Sequence, residues 1–285
     1  MKRPSFLLLH DLVPLFGNHF DAWGVTFCIT TICLAMHNAL TPDHVILTLA
    51  ITLTAWLAFA VNDYWDAPFD LQDGAKAQRN FFALRSIARP IIAVGGILVV
   101  GLVGLVLWPF GPVGIGGLGV CVFGIWAYSA PPLRLKSRPG FDLLTHAAFV
   151  QTGPYLAPLL LIRAVWRPVD VVLLILLFIS SLSAQLEQQA RDFALDSQMD
   201  TNFATRLGLA WTTRLLRLLS ATLGVILLGG LIAGIFPLVL LPLPAAALPA
   251  VLHRFIRRER PRSERLVKSS VLLAVLYALV LWIVL

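Results

Sequence analysis

The chain has 285 residues, of which 58% are hydrophobic and 13% charged, with a net charge of +7 and a mean hydropathy of +0.84. Ordinary soluble domains carry about 25% charged residues, so 15 acids and 22 bases are too few to cover a water-soluble globule of this size. A chain this apolar does not persist as a disordered polymer either. Its three cysteines, Cys28, Cys33 and Cys121, sit in apolar stretches as small hydrophobes rather than as bridges or metal ligands.

Taken in chain order, Met1-Lys2-Arg3-Pro4-Ser5 leads into Phe6 to Leu9, where His10 and Asp11 end the apolar run. That is short of the about 7–15 residues a secretory signal needs, so the segment reads as an interfacial lead into the first span. A spanning helix takes about 20 mostly apolar residues. The sequence offers nine such runs: Trp23 to Leu40, His44 to Asn62, Ile87 to Phe110, Val113 to Ala130, Leu143 to Ile162, Val169 to Gln188, Leu209 to Ile232, Phe236 to His253 and Leu266 to Leu285. Little chain is left for a soluble domain. The expectation is therefore an all-α integral membrane protein of nine transmembrane helices, with residues 1–285 forming one domain.

Basic residues set the orientation, because short cytoplasmic loops collect Lys and Arg. Twenty of the 22 fall in the N-terminus and the even-numbered loops; only Arg163 and Arg167 lie on the other side. A missed or extra span would scramble this alternation, so it supports the nine-span count independently and predicts a cytoplasmic N-terminus. The odd loops, such as Trp108-Pro109-Phe110-Gly111-Pro112, read as turns.

The second span runs into Asn62-Asp63-Tyr64-Trp65-Asp66-Ala67-Pro68-Phe69-Asp70, with Asp73 beyond. On a helix, Asp63, Asp66, Asp70 and Asp73 fall within an arc of roughly 80°, although Pro68 predicts a kink or an end there. The sixth span is followed by Asp192, Asp196 and Asp200, spaced by four and again on one face. Together these are seven of the 15 acids, all at the boundary that the basic residues mark as cytoplasmic. Like charges on one face repel, and acids at membrane depth cost about 2.5–3.5 kcal/mol each, so a compensating cation is expected. Magnesium takes oxygen ligands and bridges carboxylates to substrate phosphates. Ordinary solvated loop charges are the plain alternative, and a proton or cation pathway the other functional one; no span carries acids through its middle.

Between spans four and five lies Tyr128-Ser129-Ala130-Pro131-Pro132-Leu133-Arg134-Leu135-Lys136-Ser137-Arg138. The paired prolines predict an extended path, with Arg134, Lys136 and Arg138 on one side of it. A lone basic loop would be a topology signal. Set between two acidic clusters, it points to a metal-bridged phosphate site.

These residues resemble the UbiA superfamily of membrane prenyltransferases. The likeness rests on Asn62-Asp63-x-x-Asp66-x-x-x-Asp70, on the Tyr128-Ser-x-Pro-Pro-x-Arg134-x-Lys136 loop, and on Asp192-x-x-x-Asp196 followed by Ala204-Thr205-Arg206-Leu207-Gly208. The resemblance implies nine helices around a central cavity capped by the aspartate-bearing loops. It implies magnesium held by Asp63, Asp66, Asp70, Asp192 and Asp196, and an isoprenoid diphosphate donor gripped by Arg134 and Lys136 and oriented by Asn62 and Tyr128. The prenyl group would pass to a lipophilic acceptor of carotenoid or aromatic/quinone type, among membrane lipids and without nucleic acid. Two departures stand out: Lys76-Ala77-Gln78-Arg79-Asn80 replaces an Arg-Pro-x-Pro-x-Gly stretch, and Asp200-Thr201-Asn202 replaces a glycine after the second motif. The first is closer to the carotenoid branch.

Among the remaining residues, His146, Gln151, Thr152 and Tyr155 are polar groups in an apolar run, suited to an acceptor cavity or to helix contacts. Glu187 points away from the acidic face, and His37 needs no special role. The competing reading is a transporter or lipid carrier, which would carry polar groups at the bilayer midplane.

Overall fold

The computed structural model describes residues 15–85, 87–199, 201–256 and 262–285. The N-terminal run to Asp11, Asp200, and Arg257, Arg258 and Arg260 lie outside the described residues. Among the described residues the regular structure is helical throughout. We label the helices α1 (Phe20–Met36), α2 (Pro42–Asp70), α3 (Gly74–Arg79), α4 (Arg89–Leu107), α5 (Gly111–Ser129), α6 (Phe141–His146), α7 (Gly153–Leu161), α8 (Pro168–Met199), α9 (Phe203–Leu207), α10 (Leu209–Ile232), α11 (Pro242–Ile256) and α12 (Glu264–Val284). A π turn, Ala147–Thr152, joins α6 to α7.

Every run read as a span falls on helical backbone, but the lengths differ. Among the described residues, five stretches are long and apolar enough to cross a membrane: Pro42–Asp70, Arg89–Ser129, Pro168–Ser197, Leu209–Ile232 and Glu264–Val284. The second holds both α4 and α5, joined by a 3-10 turn at Trp108–Phe110 and by Gly111 at φ +61°. Gly114 then packs so closely on α4 that a Cβ would sit 2.2 Å from the Leu107 carbonyl oxygen. By contrast, α1 is shorter and the stretch from α6 to α7 is broken by the π turn. The run expected from Phe236 begins its α-helix only at Pro242, after a 3-10 turn at Leu238–Leu240.

Two helices outrun their apolar stretches. α2 continues through Pro68 to Asp70; the proline falls in the last turn, where the loss of one ladder bond is least disruptive. α8 continues through Asp192 and Asp196 to Met199. Asp63, Asp66 and Asp70 of the first cluster and Asp192 and Asp196 of the second therefore ride on helix extensions rather than on loops.

The helices close into a ring: α12 packs on α1, α1 on α2, α2 on α4 and α5, α5 on α7, the π turn on α8, α8 on α10, α10 on α11, and α11 back on α12. Gly24 lets α1 and α12 approach, since a Cβ there would meet Val271 at 3.1 Å. One end of the ring is plugged by a cluster of Ile32, Met36, Val169, Leu240 and Leu281. The outward faces are apolar, with Ile97, Leu105, Val225 and Ile283 each at least 70% exposed, as lipid-facing surfaces are. Threonines along α2 turn their hydroxyls back onto the carbonyl four residues earlier: Thr48 to His44, Thr52 to Thr48 and Thr54 to Ala50. That satisfies them without any external partner.

Near the plugged end, Asp170 is fully buried, accepting from the Tyr155 hydroxyl at 2.8 Å and the Arg167 amide at 2.7 Å, with His37 Nε2 at 3.1 Å. This pin joins α1, α7 and α8. It gives His37 and Tyr155 structural partners that the sequence did not disclose, and it takes Tyr155 out of the cavity. Thr152 is likewise occupied within its own turn, donating to the Ala147 carbonyl.

Candidate active site

The open end of the ring holds a cavity of about 720 Å³. Asn62, Asp63, Asp66 and Asp70 from α2, Tyr128 from α5, Arg134 and Lys136 from the following loop, and Asp192 and Asp196 from α8 all line it. All nine sequence-predicted site residues are thus brought together. Asp73 lies off this set; its Oδ1 accepts from the Lys76 amide at the start of α3, at 3.3 Å.

Asp66 is the most heavily partnered of the first cluster. Lys136 Nζ lies against its Oδ1, Arg134 Nη2 lies 3.6 Å away, and Asn62 Nδ2 donates to its Oδ2 at 2.9 Å. Asn62 Oδ1 in turn accepts from Lys136 Nζ at 2.9 Å and from Ser129 Oγ at 3.2 Å. The Arg134 guanidinium also lies 4.3 Å over the Phe69 ring, a cation–π contact that fixes its plane. Tyr128 is anchored from α8, its hydroxyl accepting from Gln185 Nε2 at 3.3 Å.

The basic loop is not the extended strand expected from its prolines. The Pro131-Pro132 peptide is cis, Arg134 has φ +37° and ψ +60°, and Leu135–Ser137 forms a 3-10 turn. A non-glycine residue in the left-handed region is strained, and here the contacts of Arg134 with Asp66 and Phe69 hold it. The tight turn keeps Arg134 and Lys136 together on Asp66. Arg138 is sent elsewhere, its Nη2 donating to the Pro132 carbonyl at 3.4 Å.

Several further groups shape the site without having stood out in the sequence. His19 Nε2 lies 2.9 and 3.0 Å from the two oxygens of Asp63. Asn80 is buried; its Nδ2 donates to the Asp63 carbonyl and to Asp70 Oδ2, both at 2.8 Å, and its Oδ1 accepts from the Phe82 and Ala83 amides. Lys76 Nζ lies 3.5 Å from Asp192 Oδ2 and 3.8 Å from Asp196 Oδ1. Burial works against the Lys76 charge, but Asp192, Asp196 and Asp70 outweigh it and hold the ammonium above the ordinary lysine range. Asn202 Nδ2 donates to Asp196 Oδ2 at 2.9 Å while its Oδ1 accepts from the Thr205 amide, the reciprocal cap that starts α9. The signal for Lys76 and Asn80 was present, since Lys76-x-x-Arg79-Asn80 was the stretch that departed from the expected pattern. His19, a lone histidine ahead of the first span, carried no such signal.

Asp142 supports the site from behind. Fully buried, it accepts from the Gly140, Leu143 and Phe203 amides and from Gln189 Nε2, all within 2.7–2.8 Å. One carboxylate thereby ties the end of the basic loop to α8 and to the start of α9. Glu187 lines the same cavity and is held from the segment before α12, the Arg262 amide donating to its Oε1 at 2.6 Å. Arg79 pairs with Glu264 at 2.6 Å, so the segment entering α12 is fastened to both α3 and α8.

Electrostatically, two acidic helix ends and a basic loop face one partly apolar cavity. Among the described residues no three His, Cys, Asp or Glu side chains are close enough to cage a metal ion by themselves. Asp66 faces Lys136 and Arg134, and Asp192 and Asp196 face Lys76.

The model of the UbiA prenyltransferase family matches residues 24–283. The chain belongs to that family. Among solved structures it is similar to a UbiA homolog from Archaeoglobus fulgidus bound to GPP and Mg2+, with a TM-score of 0.75 at 16% identity over 96% of this chain and 100% of that one. The same homolog bound to DMAPP and Mg2+ gives a TM-score of 0.74 at 16% identity, covering 96% and 99% of the two chains. At that identity the likeness establishes a UbiA-like helical fold. No curated protein sequence matches the chain. As a UbiA-family prenyltransferase with long apolar helices, it is an integral membrane protein.

Proposed function

We propose that this protein is a nine-span, single-domain prenyltransferase with a cytoplasmic N-terminus, and that it transfers an isoprenoid group from an isoprenoid diphosphate to a lipophilic acceptor. The observation that carries the reading is the opposition of two carboxylate-bearing helix ends, α2 and α8, across one cavity, with Arg134 and Lys136 between them. The positive-inside bias of the loops supports placing this face on the cytoplasmic side.

The donor set suits a hard divalent cation. Asp63, Asp66, Asp70, Asp192 and Asp196 offer only oxygen, and magnesium is commonly held by one or two carboxylates plus substrate phosphates. The UbiA homolog structures carry Mg2+ together with a prenyl diphosphate. Bound there, magnesium would neutralise diphosphate charge and make it a better leaving group.

The chain's own groups divide the remaining work. Arg134 and Lys136 take up negative charge on the departing diphosphate. Asn62 holds Lys136 in place, and the hydroxyl of Tyr128, fixed by Gln185, orients the donor. Lys76 is placed to exchange Asp192 and Asp196 for phosphate oxygens when a metal takes the carboxylates. The apolar walls shield an allylic cation from water. The acceptor is of carotenoid or aromatic/quinone type.

Membranes containing the protein, incubated with a labelled isoprenoid diphosphate and an extract of membrane lipids, are expected to form a prenylated lipid only when magnesium is present. Undiminished product after chelation, or in folded Asp63→Ala or Asp192→Ala protein, would sink the reading.

A further inference from the structure

The deep end of the cavity contains one polar arrangement that the donor site does not use. His146, the last residue of α6, lines the cavity together with Gly124, Phe149 and Gln151. Phe149 fills the notch left by Gly124, where a Cβ would come within 2.8 Å of its ring. The π turn that begins at Ala147 is the kind of widened helix that recurs at functional sites. It turns Phe149 and Gln151 into the same space.

The hydrogen bonds around His146 assign its tautomer. Ser181, fully buried on α8, donates its single hydroxyl proton to the His146 carbonyl at 3.1 Å. The same oxygen lies 3.1 Å from His146 Nδ1. With that proton assigned to the carbonyl, Ser181 Oγ acts there as acceptor, which assigns the hydrogen to Nδ1 and leaves Nε2 of the neutral ring a bare lone pair. Nε2 makes no hydrogen bond among the described residues. An acceptor atom in a partly apolar pocket costs desolvation free energy unless a donor meets it.

We propose that His146 is the residue that recognises the acceptor: its Nε2 accepts a hydrogen bond from a hydroxyl or N–H group carried by that molecule. The inference rests on the prenyl-transfer reading above and narrows its substrate class to acceptors bearing such a donor, excluding pure hydrocarbons. Ser181 lies about 16 Å further along α8 than Asp192, at ~1.5 Å per residue. The group bound at His146 is thus remote from the carbon being prenylated, and the product retains it.

The test compares lipids from cells expressing the full chain with those from cells expressing Asp66→Ala. The Asp66-dependent product is measured by mass spectrometry before and after transfer to deuterated methanol, which counts its exchangeable hydrogens. At least one is expected. His146→Phe should lower product about 10²-fold, as expected when a site built for a hydrogen bond loses it, while geranyl diphosphate binds the purified protein within about twofold of wild type. His146→Gln, whose amide oxygen reaches the position of Nε2, should recover most of the product, and Ser181→Ala should fall between. A product with no exchangeable hydrogen, wild-type product from His146→Phe, or loss of donor binding together with product would each overturn the assignment while leaving transfer itself standing. Absence of any Asp66-dependent product would overturn the transfer reading first.

Discussion

Lys76 on α3 reaches Asp192 on α8, its Nζ 3.5 Å from Oδ2, and so joins the segment that follows the first acidic motif to the helix that carries the second. The two clusters are far apart in sequence, and this ammonium is a cation already in place between their carboxylates. Because both partners are about a third exposed, the pair is screened and contributes little to stability. Its weight falls on the site. Replacing Lys76 with Met should leave unfolding nearly unchanged and tighten magnesium binding in the absence of substrate about fivefold, since one competing positive charge worth ~1 kcal/mol is removed. Isothermal titration of both proteins with magnesium would check this; equal affinities would refute it.

Asp66 gathers Lys136, Arg134 and Asn62. Asp66→Asn keeps the shape but removes the charge, leaving two cations partly unpaired. About a quarter of the Asp66 and Arg134 side chains is exposed, so the stability loss should stay within ~1–2 kcal/mol. Product formation should drop by about 10²-fold or more, as for loss of a preorganised electrostatic group. Detergent-solubilised protein that keeps its unfolding midpoint but not its activity is the expected result.

Asn80 separates two kinds of damage. Asn80→Ala removes donors to the Asp63 carbonyl and Asp70, and acceptors for the Phe82 and Ala83 amides, and should cost ~2–3 kcal/mol of stability. Asn80→Asp keeps the two amide contacts but sets a carboxylate against Asp70. It should therefore unfold later than Asn80→Ala and yet bind prenyl diphosphate no better, because the repulsion displaces Asp70. Side-by-side unfolding and donor-binding curves would distinguish the two.

Asp170, at the other end of the ring, is a control on the site assignment. Asp170→Ala strands the Tyr155 hydroxyl and the Arg167 amide in a buried setting and should destabilise the protein by ~2–4 kcal/mol. The residue does not line the cavity, so activity per folded molecule should remain within about twofold. A large change in KM for the donor would contradict that separation.

Much of the fold was legible because its cause is local. Apolar runs of spanning length locate the helices, and the alternation of basic loops supports their order. The carboxylate spacing of three and four already placed Asp63, Asp66 and Asp70 on one face. Local reasoning fell short in three places. Pro68 does not end α2, and the diproline loop is a tight turn because Arg134 and Lys136 are drawn onto Asp66. The first α-helical turn of α11 waits until Pro242.

The sequence by itself determined that the chain lives in a membrane, that its acidic clusters follow long apolar runs, and that its motifs are those of a prenyltransferase family. Those facts follow from solvent transfer and helical periodicity, which need only neighbours in sequence. The tertiary structure decided which polar group faces which: His19 on Asp63, Lys76 on Asp192, and Ser181 on His146. Each pairing joins separate helices or segments brought together only when the ring closes, and a hydrogen bond acts over about 3 Å, so no one-dimensional pattern encodes it.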